Sequence, residues 1–147
     1  MEEKFINFLQ EMEIYNEKFL NYLKDKTLIV DLNEETKSSI GTYPKIDENN
    51  ILKDIHICVP KKTNDITISM NIHEYVEALL LFRNLNEEYK EDKQKDLMPT
   101  FYELVYLKEN NQDDFFNIYL EQIKESNSYL TMLLNIFDKE NIKEKTN

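Results

Sequence analysis

Apolar residues recur at helical spacing through residues 2–24, at Phe5, Phe8, Leu9, Met12, Tyr15, Phe19, Tyr22 and Leu23. A single apolar stripe on a polar segment predicts a surface helix lying on a core. Residues 27–33, TLIVDLN, read as a short strand, and the polar stretch 34–50, which holds the only glycine, reads as a loop. The period then changes. Ile55, Ile57 and Val59 alternate with His56 and Cys58; after Pro60 and the turn KKTND, Ile66, Ile68 and Met70 alternate with Thr67 and Ser69. Two alternating runs with a five-residue connection predict a β-hairpin.

Asn71, followed three residues later by Glu74, predicts a capped helix start. Val76, Ala78, Leu79, Leu80 and Phe82 make this helix apolar nearly all round, so it is expected to be buried and to run to about Lys90. The charged connector EDKQKD leads to another helix, with Pro99 in its first turn and Phe101, Leu104, Val105 and Leu107 as apolar positions. Residues 112–138 predict one long helix, or two broken near Ser126-Asn127-Ser128, and the tail 139–147 is polar. An N-terminal helix, a small sheet of about three strands and then three or four helices amount to an α+β domain.

Composition narrows the class. The 147 residues suit a single domain, and 41% hydrophobic content with 12% aromatics is too apolar for a disordered chain. The net charge is −11 and Arg83 is the only arginine, which excludes nucleic-acid binding through direct phosphate contacts. No apolar run approaches the roughly 18 residues of a membrane span, and the acidic start MEEKFINFLQ is unlike a signal peptide. With one cysteine, Cys58, no internal disulfide is available, and a cytoplasmic location is expected.

The candidate chemistry is His73-Glu74-x-x-Glu77, one residue short of the H-E-x-x-H zinc-binding pattern. Four residues apart on a helix, His73 and Glu77 share a face, with Glu74 beside them. Plainer roles stand next to this one. His73 suits a partly buried imidazole bonded to a carboxylate, Glu74 suits the capping box, and Glu77 suits pairing with a lysine or Arg83. Tyr75, Tyr102 and Tyr106 read as core aromatics. His56 and Cys58 share a strand face without further metal-ligating partners, so a half-buried face is the better reading there.

The run H-E-Y-x-x-A-L after a strand, followed about thirty residues later by P-x-x-x-E in a second helix, resembles the gluzincin zinc peptidases. The likeness is to thimet-oligopeptidase-like and oligoendopeptidase-like enzymes and to very small gluzincins, and it covers about residues 51–108. It implies a minimal zincin-like domain in which His73 and Glu103 are metal ligands and Glu74 is the general base toward metal-bound water. The segment Ile66–Met70 would be the strand bordering the cleft, and a peptide or protein the partner. Glu77 departs from the family pattern, standing where the second histidine ligand would be. A second carboxylate in the set His73, Glu77, Glu103 neutralises more of the cation's charge, weakening its Lewis acidity. Oxygen donors also move the preference from zinc toward harder divalent cations. The expectation is a catalytically weak or inactive metallopeptidase homologue, a pseudoenzyme acting by binding. A second expectation is an acidic helical interaction or inhibitor protein, of phage or mobile-element type, steered to a basic partner by its charge.

Overall fold

The computed structural model describes residues 2–91 and 95–124. Their order is α1 (Glu2–Glu11), α2 (Glu17–Leu23), β1 (Thr27–Val30), β2 (Gly41–Ile46), β3 (Leu52–Pro60), α3 (Asp65–Phe82), α4 (Leu97–Glu109) and α5 (Asp113–Lys124). This is the expected α+β architecture: an N-terminal helix, a three-stranded sheet, then helices. The sheet has the order β1-β3-β2, with β1 parallel and β2 antiparallel to the central β3. Ile55, Ile57 and Val59 turn one face of β3 into a core shared with Phe5, Phe8, Leu9, Phe19, Ile72, Tyr75 and Val76.

Four expectations about local structure are corrected. The single helix over 2–24 is two, because Glu13 adopts a left-handed φ of 60° and Asn16 caps a fresh helix by accepting from the Phe19 N–H. The stretch 34–50 contains β2, which carries Pro44; proline is tolerated there because β2 is an edge strand. The helix expected to reach Lys90 stops at Phe82. Beyond it, Asn86 turns left-handed, and the Asn86 N–H and Glu87 carbonyl bond to the main chain of Leu52 on β3.

The fourth correction matters most for function. Ile66–Met70 is not a strand but the first part of α3, whose cap is Asn64 rather than Asn71. The Asn64 side chain accepts from the Thr67 N–H at 2.9 Å while the Thr67 hydroxyl accepts from the Asn64 N–H at 3.0 Å, a capping box with threonine at the third position. Five residues of alternation fit a helix as well as a strand once the intervening Thr67 and Ser69 are themselves buried. Ser69 satisfies its hydroxyl on the Ile66 carbonyl, and Asn71 donates to the carbonyls of Pro60 and Thr67. The hairpin that does exist joins β2 to β3, through a turn in which Asp47 accepts from the Asn49 and Ile51 N–H groups.

The helix expected over 112–138 is α5 as far as Lys124; its continuation, the break near Ser126 and the polar tail lie outside the described residues. No helix among the described residues is long and apolar enough to cross a membrane. Replacing Asn64 removes an acceptor that both starts α3 and closes the chain after β3. Asn64→Ala is expected to lower stability by about 1 kcal/mol, read as a shift of the urea midpoint at unchanged slope.

Candidate functional site

Helix α3 runs between the sheet and α4 with buried residues on nearly every side, so its polar side chains must find partners inside the protein. They do. Among the described residues no buried side-chain nitrogen or oxygen lacks a hydrogen bond. His73 points toward α4, where its Nδ1 lies 2.9 Å from Glu103 Oε1. Its Nε2 lies 3.7 Å from Asp96 Oδ1, an ion-pair contact rather than a hydrogen bond. Glu74, 7% exposed, accepts a 3.0 Å bond from the Thr42 hydroxyl on β2. Donor atoms of His73, Glu74 and Glu77 lie within 4.8 Å of one another.

The three residues singled out on α3 therefore converge, and Glu103 joins them through the imidazole. Glu103 and Asp96 both stand outside the three-residue group, Glu103 holding Nδ1 and Asp96 facing Nε2. Its carboxylate is 5% exposed, and the Tyr119 side chain of α5 lies against it together with Thr100. Glu77 does not pair with Arg83: the cations whose charges reach it are His73 and, less strongly, Lys95, while Arg83 lies near Tyr102. Glu74 is not the capping-box glutamate either, since α3 begins two turns earlier. Tyr75 and Tyr106 are core aromatics as expected, their hydroxyls donating to the Ile14 carbonyl and to Asp65.

Two participants carry no signal of their own in the sequence. Thr42 sits in a stretch read as loop, so nothing placed it over Glu74. Asp96 is the N-cap residue of α4 yet makes no capping bond with its side chain. The third helical position, whose N–H a capping aspartate would ordinarily hold, is Pro99 and has none. Asp96 is thereby released toward His73 and Glu77.

The electrostatics follow from one imidazole among four carboxylates. Burial alone would depress the pKa of His73, but the neighbouring Asp96 and Glu103 carboxylates and the charge of Glu74 outweigh it and lift the value to about 10. Glu74 is pushed up to about 7, chiefly by burial, with the Glu77 charge adding to the effect against the pull of His73. Glu77 is raised as well, by burial and by the charge of Asp96. The thiol of Cys58 is raised by burial and by the nearby Glu74 charge. Beside Glu77 a groove of about 130 Å³ opens between β2 and the end of α3, lined by Thr42, Pro44, Leu80, Leu81, Tyr89 and Lys95, among others. Chemically, the arrangement offers a dication one nitrogen and several oxygens, and offers a proton a shared carboxylate pair.

Comparison with known proteins finds no matching family model, no similar curated protein and no matching solved structure.

Glu74 and His73, like Glu77, bind a proton more tightly in the folded chain than in the unfolded one, whose values are 4.5 for a glutamate and 6.5 for the histidine. Stability of the metal-free protein should therefore fall with rising pH, through 4.5 to about 7 because of Glu74 and through 6.5 to about 10 because of His73. Glu74→Gln keeps an acceptor for Thr42 and should flatten the first part of that slope, leaving the share due to Glu77. Thermal melts of both proteins between pH 5 and about 9 check this, with the variant melting above the parent at alkaline pH.

Proposed function

We propose that the chain is a gluzincin-like domain whose histidine–carboxylate centre binds a divalent cation without supporting efficient peptide hydrolysis, and that it acts by binding a peptide or protein. The observation that carries this reading is the convergence of His73, Glu74 and Glu77 on one buried helix, with Glu103 of the next helix against the imidazole. The donor set suits such an ion: an imidazole and carboxylates within 4.8 Å contract readily to bonds of about 2.0–2.2 Å. The surplus of negative charge supports it further. A dication would neutralise carboxylates that the single imidazolium leaves in excess, lowering the raised proton affinity of Glu74 and Glu77.

Weak chemistry follows from the same donors. A bound dication supplies Lewis acidity, and each carboxylate added to its shell reduces that supply. Glu74 keeps the position of a base, 3.0 Å from Thr42, but lacks an acidic enough group to work on. Binding is a separate matter. Among the described residues, strand β2 has β3 on one side and no strand on the other, and it borders the groove beside Glu77. An extended peptide can add to such an edge and place a side chain against Leu80 and Leu81. The net charge of −11 favours the second reading, a protein that captures a basic partner without any metal.

Metal analysis of protein purified without chelators separates the two. The cation reading expects about one equivalent of manganese, iron or zinc per chain, lost in His73→Ala; absence of metal at every pH from 6 to about 9 leaves only the acidic binder. Glu77→His should raise zinc affinity by about tenfold or more and bring measurable cleavage of a fluorogenic peptide, detected as a linear rise in fluorescence that EDTA abolishes.

A further inference from the structure

The cation reading, on which this inference rests, leaves open which acid from α4 reaches the ion, and the two nitrogens of His73 decide it. The lone-pair directions of an imidazole diverge, so a group bonded at one nitrogen cannot share a ligand held at the other. Glu103 Oε1 occupies the Nδ1 side at 2.9 Å. It is buried, tied to the Tyr119 side chain, and sits where carboxylates that orient metal-binding histidines are found. The Nε2 side faces Asp96 Oδ1 at 3.7 Å. Two donors on one tetrahedral ion with bonds of about 2.1 Å stand about 3.4 Å apart, so these two atoms already approximate one edge of such a shell. Asp96 also lies against Glu77, one of the two α3 carboxylates that converge with His73. Its carboxylate is 63% exposed and is not spent on capping α4, which leaves it on the side from which an ion enters.

We propose that Asp96 is the direct ligand from α4, completing a set with His73 Nε2 and Glu77, and that Glu103 is a positioning residue that holds the ring through Nδ1. Glu103 is the residue that P-x-x-x-E singles out in the sequence; the geometry gives its coordinating role to the aspartate seven positions earlier.

Cobalt(II) added to the full-length metal-free protein tests the assignment, because its visible bands report which atoms ligate it. Asp96→Asn should move the bands and weaken cobalt binding by about a hundredfold, whereas Glu103→Gln should weaken it by about tenfold while leaving band positions unchanged. Band shifts in Glu103→Gln with none in Asp96→Asn would reverse the roles and overturn the proposal. Because Asp96 is exposed, its variant folds whatever the buried Glu103→Gln does, and unchanged cobalt bands and affinity in Asp96→Asn suffice to sink it. A wild-type protein that takes up no cobalt would instead sink the cation reading beneath it.

Discussion

An imidazole and a carboxylate meeting at 2.9 Å between two buried helices set the terms for everything around them. His73 is 15% exposed and Glu103 5%, in helices whose other contacts are mostly apolar and therefore indifferent to small slips. The pair is not indifferent. Removing either partner would take a charge-assisted bond from a largely buried group, which favours one register of α3 against α4. That register in turn brings Asp96 to the far nitrogen and Glu77 to the same side. Fold and site are one constraint seen twice.

The same pair fails to balance its surroundings. One imidazolium faces Glu74, Glu77, Glu103 and Asp96, and the protein meets the deficit by raising the proton affinity of Glu74 and Glu77 and by bringing the charge of Lys95 close. Contrast the Asp54 cluster on β3, where Tyr22, Lys26 and His56 all surround one carboxylate and its pKa is driven well below the usual range despite the opposing effect of burial. There the donors exceed the acid and the cluster is closed, pinning α2 to the sheet. Around His73 the acids exceed the donors. A chain selected only for stability would dispense with such an excess, since neutral side chains of similar size pack at less cost.

The long-range outline was readable because it rests on burial. Apolar periodicity located β3, the second half of α3 and α4, and marked the stretch holding α1 and α2, though as one helix; the acid–histidine spacing located three of the converging groups. The failures share a physical origin in polar atoms satisfied locally. Thr67, Ser69 and Asn71 return their hydrogen bonds to the main chain near them, so α3 buries a polar side that alternates like a strand's. Strand β2 is short, kinked after Lys45 and carries a proline, and among the described residues it pairs on one side only. Asp96 looked like one more charge in a connector, because its release from capping depends on Pro99 three positions on and on where His73 arrives in space.

The correction to Ile66–Met70 bears directly on the likeness to zinc peptidases. That likeness assigns a strand to the cleft wall, and the segment given that part is helical; the strand that does lie over the site is β2, whose Thr42 reaches Glu74. An edge strand supplied from before β3 leaves the helix free to extend two turns ahead of His73, so the motif sits mid-helix, braced from both ends. Rigidity of that kind serves recognition whether or not chemistry occurs. A peptide pairing with the outer edge of β2 needs main-chain hydrogen bonds and an apolar groove, neither of which depends on the Lewis acidity of a neighbouring ion. On the proposed reading, a carboxylate rather than an imidazole at residue 77 weakens hydrolysis without altering the edge of β2 or the groove beside it.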